Sequence, residues 1–195
     1  GYIPTMECFH GILSMNHALN GNLDINKDRI SFDHGKGYIE KDWGKNFPKD
    51  WVWAQSNSFN ESELSISASL ATIPWKSYEF SGFIIGIHHK EKLYKFTTYN
   101  FSKILKIKFE DNALFWVIKK GHLQLEITIR AGSTSGLLHA PDKTDMVPKV
   151  REFLDGEISF ILKKNQEIIL EQYSDQCAVE IIGKTNRLID NAIEG

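Results

Sequence analysis

The chain has 195 residues, 42% of them hydrophobic and 12% aromatic, and 23 Lys and Arg set against 25 Asp and Glu give a formal net charge of −2. That length supports one well-buried domain over residues 1–195 and is short for two. The balanced charge supplies no basic field, which argues against a nucleic-acid partner, and no run approaches the roughly 20 apolar residues of a membrane-crossing helix, which argues against an integral membrane segment.

The chain opens Gly-Tyr-Ile-Pro, with no initiator Met and no charged-then-apolar leader. Cys8 and Cys177 are too far apart for a Cys-x-x-Cys metal or redox pair; a lone disulfide stays open, and a reducing, cytoplasmic setting is the simpler expectation. Cys8 and His10 share a strand face, but two ligands are too few for zinc. Turn signals follow at Asn20-Gly21 and Asn26-Lys27-Asp28. Gly35-Lys36-Gly37 lacks the third glycine of a dinucleotide loop, having Glu40 in its place.

Residues 38–59 then gather Trp43, Trp51 and Trp53, three of the five tryptophans, with Glu40, Lys41 and Asp42. In an extended segment Glu40 and Asp42 share one face while Lys41 and Trp43 point the other way. On residue type alone, Glu40 and Lys41 read as an exposed corner with weak surface ion pairs. Trp51, Trp53, Gln55 and Asn57 also share a face. It serves equally as a core strand or as the wall of an apolar cavity with amides for a polar head group, and a barrel interior is both at once.

Further on, period-two alternation dominates: Leu64/Ile66/Ala68/Leu70, Leu105/Ile107/Phe109, Leu123/Leu125/Ile127/Ile129 and Ile158/Phe160/Leu162. Turn signals at Lys90-Glu91, Asp111-Asn112, Lys120-Gly121 and Lys164-Asn165 separate these runs. His88 and His89 are adjacent, face opposite sides of a strand and cannot grip one metal, so no metal is expected. The segment Gly132 to Pro148 reads as a long irregular loop across a barrel mouth. Its Gly132-Ser133-Thr134-Ser135-Gly136 puts Thr134 where a hydrolase elbow needs Ser. Helix candidates are confined to Pro48 to Trp51 and Thr185 to Ile193. The expected fold is all-β: an antiparallel meander forming a lipocalin-like β-barrel, incomplete if the chain is a fragment.

The pattern Tyr-x-Glu-Lys-x-Trp-Gly-x-x-Phe-Pro-x-x-Trp-x-Trp-x-Gln-x-Asn-x-Phe, from Tyr38 to Phe59, resembles the signature of the tocopherol cyclase-like family. Two more blocks agree in order: Gly136-Leu137-Leu138-His139-Ala140-Pro141, followed by Met146-Val147-Pro148 and Glu152, and then Cys177 to Gly183. The resemblance implies a longer protein of which this chain is roughly the C-terminal half, with a missing N-terminal portion as its partner. It also implies an amphipathic small-molecule ligand, a prenylated quinol or other isoprenoid, and no cofactor.

Cyclases of this kind add a phenol oxygen across a prenyl double bond. A neutral carboxylic acid must protonate the alkene, and a dry, π-rich pocket must tolerate the cationic charge. The resemblance makes Glu40 the expected acid with Asp42 in reserve, and His139 the base for the attacking hydroxyl. Trp43, Trp51, Trp53, Gln55, Asn57 and Glu152 become ligand-binding residues. Carotenoid hydratase-type proteins are similar in carrying an acid, a variable pair, an aromatic and a Gly here, an association at the level of fold. The alternative is a non-catalytic carrier of a hydrophobic molecule, in which Glu40 is structural.

Overall fold

A computed structural model describes residues 7–75, 78–143 and 145–194. The strands are β1 (Cys8–Leu19), β2 (Asn22–Ile25), β3 (Asp28–Ser31), β4 (Gly35–Gly44), β5 (Trp51–Ser56), β6 (Leu64–Trp75) and β7 (Tyr78–His89). They continue with β8 (Lys92–Thr97), β9 (Lys103–Glu110), β10 (Ala113–Lys120), β11 (Leu123–Arg130), β12 (Ser135–Asp142), β13 (Asp145–Lys164) and β14 (Glu167–Ile182). Among the described residues a single α-helix, α1 (Thr185–Glu194), follows them.

Strands β5 to β14 form one antiparallel sheet in the order β8-β7-β6-β5-β14-β13-β11-β10-β9, with β12 paired to β13 alone. The order is a meander entered at its middle: β5 to β8 run out to one edge, and β9 to β14 return from the other to pair with β5. The chain passes from edge β8 to edge β9 through residues 98–102 only, a span of roughly 20 Å at most. The sheet must therefore curl until its edges approach, and the Lys120 ammonium at the end of β10 donates to the Lys95 carbonyl of β8 at 3.1 Å. No ladder joins β8 to β9 among the described residues, so the barrel is incomplete. Strands β1 and β4 pair as a separate ribbon, with β2 and β3 forming a hairpin between them in sequence.

Alternation decides the concave face. Leu64, Ile66, Ala68 and Leu70 of β6, Ile85 and Ile87 of β7, Trp116 and Ile118 of β10, Leu125 and Ile127 of β11, and Ile158, Phe160 and Leu162 of β13 are buried together. Phe83 meets Trp116 edge to face at 5.6 Å, and Phe59 meets Phe160 in the same way at 5.8 Å. The interior is thus filled by side chains. Turn chemistry agrees with the sequence, since Asn26, Lys90, Asp111, Asn112, Gly121 and Asn165 all take left-handed backbone.

Three local expectations change. A register shift in the β9–β10 ladder pairs Ile104 with Ile118 and Lys106 with Val117. This bulge turns Ile104 inward with Ile107 and leaves Leu105 54% exposed. Residues 135–142 are not a loose loop but strand β12, hairpinned onto the start of β13 through Lys143 at φ 60°. Pro48 to Asp50 is a bend leading into β5 rather than a helix.

The expected helix over Thr185 to Ile193 is α1. It sinks Leu188 into the core, and its start is tied to the sheet by buried Asp50, which accepts from the Lys184 backbone N–H and the Arg187 guanidinium Nε, both at 2.6 Å. Gly183 precedes it at φ 80°, where a Cβ would strike the Asp50 carboxylate and the Lys49 carbonyl. Only glycine fits that approach.

Candidate functional site

The convex face of the same sheet carries different chemistry. Register sets Trp51, Trp53 and Gln55 of β5 opposite Ala71, Ser69 and Ser67 of β6, and opposite Ile182, Glu180 and Ala178 of β14. Glu152 of β13 stands across from Glu180. These residues alternate with the core positions Val52, Ala54 and Val179 and so point away from the core. The β1–β4 ribbon lies over this face. Its inward side consists of Tyr38, Glu40 and Asp42 from β4 with Ile12 and His10 from β1, paired Glu40 to Ile12 and Asp42 to His10.

Glu40 is the centre of the cluster. Its Oε2 accepts from the Trp53 indole N–H at 3.1 Å and from the Tyr38 hydroxyl, and the Tyr38 oxygen also lies 3.1 Å from Ser67 Oγ. Both donors converge on one oxygen, leaving Oε1 directed towards His10 Nδ1 at 4.0 Å. Burial raises the Glu40 pKa; the Tyr38 hydrogen bond and His10 oppose that rise, and neighbouring Asp42 adds to it. The result is a carboxyl that holds its proton to higher pH than a solvated Glu.

His10 is bonded through Nδ1 to Asp42 Oδ1 at 2.7 Å. Burial pulls its pKa down, but the Asp42 hydrogen bond and the charges of Asp42, Glu40 and Glu180 outweigh that and raise it. Its Nε2 is buried with no hydrogen-bond partner, and so is Nε2 of Gln55, on the strand face beside Trp53. Two buried polar nitrogens, one on the ribbon and one on β5, therefore lack partners, and each gains free energy from a ligand acceptor or donor.

A second acid lies on the same face. Glu180 accepts from the Trp51 indole N–H at 2.6 Å. Burial pushes its pKa from the ordinary 4.5 up to about 7, against the Trp51 hydrogen bond and with help from Glu152, Glu40 and Asp42. Burial also raises Glu152. The two indole edges thus hold two carboxyls side by side. Ligand atoms of His10, Glu40 and Asp42 come within 4.8 Å of one another, a spacing that a cation would accept. Each is already engaged by the protein, however: Glu40 by Tyr38 and Trp53, and Asp42 by His10.

The structure brings Glu40, Asp42, Trp53 and Gln55 together, with Trp51 and Glu152 beside Glu180. It does not bring Trp43 there: that ring is on the ribbon's outward side, stacked on Phe9 at 5.5 Å with the Lys41 ammonium 5.3 Å from its centroid. Asn57 falls just past the end of β5. His139 is exposed on β12, while its neighbour Ala140 packs against Trp51. Three site residues escaped the sequence reading: Tyr38, His10 and Glu180. Tyr38 lies two positions before Glu40 on one alternating face, and Glu180 lies inside the Cys177 to Gly183 block, opposite in phase to Cys177 and Val179. Those were the available signals.

An antiparallel, curled sheet whose convex face presents partly buried carboxyls under a two-stranded ribbon defines the class of the protein: an all-β protein with a cluster of partly buried acids outside its main core. The chain belongs to the tocopherol cyclase-like family, whose model matches residues 2–183. It is similar to the probable chloroplastic tocopherol cyclase of Oryza sativa subsp. japonica, 28% identical over 188 residues that make up 90% of this chain and 38% of that protein. It is also similar to the chloroplastic tocopherol cyclase of Zea mays, 26% identical over 191 residues, 92% of this chain and 40% of that protein. The chain thus spans about two-fifths of the length of these curated relatives. No solved structure matches it significantly. Among the described residues no helix is long and apolar enough to cross a membrane.

Proposed function

We propose that the ribbon-covered face binds a prenylated quinol or related isoprenoid and that Glu40 protonates its double bond to start ring closure. The observation that carries this reading is the Glu40 carboxyl itself: held by Tyr38 and Trp53 on one oxygen, facing His10 with the other, and raised in pKa by burial. Family membership and the names of the two plant relatives support the cyclase class.

Glu40 gives its proton to the alkene, forming a C–H bond and a tertiary cation. The phenol oxygen attacks the cation, forming the C–O bond, and the phenol proton leaves to His10 Nε2. The Asp42 carboxylate, 2.7 Å from Nδ1, steadies the imidazolium so formed; Nε2 then releases its proton to solvent and Glu40 takes one back from solvent, so His10 keeps its Nδ1–H towards Asp42. Protons and electrons balance within one substrate, so the step draws on no redox cofactor. In this reading His10 takes the role that the sequence assigned to His139. Trp53 acts through its N–H, holding the acid, as well as through its π face.

Incubation of the protein with prenylated quinols, followed by mass spectrometry and chromatography of the products, tests this. A ring-closed isomer formed by wild type and lost in Glu40→Gln supports it. Full turnover in Glu40→Gln with loss in Asp42→Asn moves the donor to Asp42, and binding without turnover in wild type favours a carrier.

A further inference from the structure

We propose that the turn joining β8 to β9 is a docking knob for a second copy of this chain, its Phe101 ring seated in a cleft on the convex face of β10, β11, β13 and β14. This goes beyond the functional reading above and does not depend on it. Residues 92–109 contain five lysines and no acid, although the whole chain has a net charge of −2. Lys103 of β9 stands directly across from Lys119 of β10, a pairing of like charges that costs stability unless something anionic covers it. Lys108 is bonded to Glu110, and Lys106 lies over the Phe115 ring. Among the described residues Lys92, Lys95, Lys103 and Lys119 have no acid within ion-pair distance.

The turn holds two aromatic rings out in solvent between these lysines. Tyr99 is 73% exposed and Phe101 92%. Phe101 also takes left-handed backbone at φ 64°, which a bulky residue adopts only where its surroundings impose it. Asn100 imposes it here. Its Oδ1 accepts from the Thr97 backbone N–H at 3.0 Å and from the Ser102 hydroxyl at 2.6 Å, and its Nδ2 donates to the Lys95 carbonyl at 3.0 Å. The Lys120 ammonium donates to the same carbonyl. The ring is thus presented without the ordering cost of a loose loop, and one that buries so little returns none of the strain within its own molecule.

The cleft measures about 340 Å³, room for one aromatic ring. Two cross-strand rows build it: Phe115, Thr128, Ser159 and Tyr173, and beside it Glu126, Ile161 and Glu171. Phe160 and Gln172 complete a lining that holds two carboxylates and no cation. Glu126 is held by Lys163, while Glu171 has no ion-pair partner among the described residues. Aromatic walls beside carboxylates complement an aromatic ring set among lysines.

The knob cannot fill the cleft of its own molecule. Phe101 precedes Lys103, whose partner is Lys119, so it stands roughly 20 Å along the strands from the Phe115 row. A second copy can reach it. Knob and cleft are different surfaces, so the contact is heterologous and builds chains or rings of molecules.

The test is sedimentation velocity of the chain from micromolar to millimolar concentration, at low and high salt. Wild type should associate beyond a dimer as concentration rises, and salt should weaken the association. Phe101→Gly removes the ring and leaves a residue that accepts the left-handed backbone, so it should weaken association by at least about tenfold. Lys103→Glu and Glu171→Lys should each weaken it too. A one-to-one mixture of those two variants should associate more tightly than either alone, since each supplies the intact surface that the other lacks, a recovery that misfolded chains cannot give.

A wild type that stays monomeric throughout, association unaltered by Phe101→Gly, or no recovery in the mixture overturns the proposal. A monomeric wild type that co-sediments with phosphatidylglycerol vesicles, and ceases to do so in Phe101→Gly, would assign the knob to an anionic membrane and overturn the second copy.

Discussion

The two faces of the large sheet are built by the same alternation and do opposite things. The concave face is aliphatic and aromatic, sealed by Phe83 against Trp116 and by Phe59 against Phe160, and needs no polar group to explain it. The convex face under the β1–β4 ribbon holds Glu40, Glu180 and His10, two indole N–H donors, and the unpaired nitrogens of His10 and Gln55. Burying carboxyls is costly unless the fold supplies donors or keeps them neutral. Here Tyr38, Trp51 and Trp53 supply the donors, and burial raises the pKa of both Glu40 and Glu180. In this protein the barrel interior is core, and the cluster of partly buried titratable groups lies outside it.

The largest effect that would break this contrast is catalytic. Glu40→Gln preserves size and the two hydrogen bonds to Oε2 but removes the transferable proton, so turnover of a prenylated quinol should fall by about 10² to 10⁴ with ligand affinity kept. Turnover should also decline as pH rises through the raised pKa of Glu40, because the neutral acid is the donor. An unchanged rate in the variant would return the convex face to a purely structural role.

The concave face should answer in the other currency. Phe160→Ala removes a fully buried ring that packs against Phe59 and should cost about 3–5 kcal/mol in denaturant unfolding. Quinol affinity, corrected for the folded fraction, should be unaffected. A Phe160→Ala protein that stays folded yet loses the ligand would mean that the interior, not the ribbon-covered face, is the pocket.

A smaller effect separates Glu180 from ordinary surface acids. The folded protein holds its proton to about pH 7 while an unfolded chain releases it near 4.5. The native state therefore binds more protons in between, and this group makes stability fall as pH rises from about 4.5 to 7. Glu180→Gln removes that slope. Its melting temperature should match wild type at the acid end and exceed it increasingly towards neutrality. A difference that does not vary with pH would show that Glu180 is solvated.

Much of this was legible beforehand, and the limits have a physical cause. Alternation showed that Trp51 and Trp53 share a face, that Glu40 and Asp42 share another, and that Leu64, Ile66 and Leu70 belong inside. What alternation cannot say is which face of a two-sided strand meets the core, since that depends on partners far away in the chain. Glu180 reaches Trp51 only because β14 pairs with β5 across 129 residues. His10 reaches Asp42 only because β1 pairs with β4. The bulge beside Ile118 takes Leu105 out of the expected Leu105/Ile107/Phe109 face, while Ile107 and Phe109 stay with the core, for a similar reason: it is a property of a ladder and not of a strand. His139 was assigned from its family block, but a β-strand neighbour of a buried Ala140 must point the other way.

The smallest effect tests the ribbon's own two sides. Trp43 sits within the family pattern, yet its ring lies on the outward side, 45% exposed and stacked on Phe9. It is one residue from Asp42 and on the opposite face of β4. Trp43→Ala should therefore cost roughly 0.5–1 kcal/mol of stability, the value of an exposed aromatic pair, and change quinol affinity by less than about twofold. Trp53→Phe, which keeps an aromatic ring but deletes the N–H donated to Glu40 Oε2, should by contrast raise the Glu40 pKa further. A donor stabilising the ionised form has gone, and the alkaline limb of the turnover profile would move to higher pH. If Trp43→Ala moved that limb as far as Trp53→Phe does, the outward face would be coupled to the acid, and the division between the ribbon's two sides would not hold.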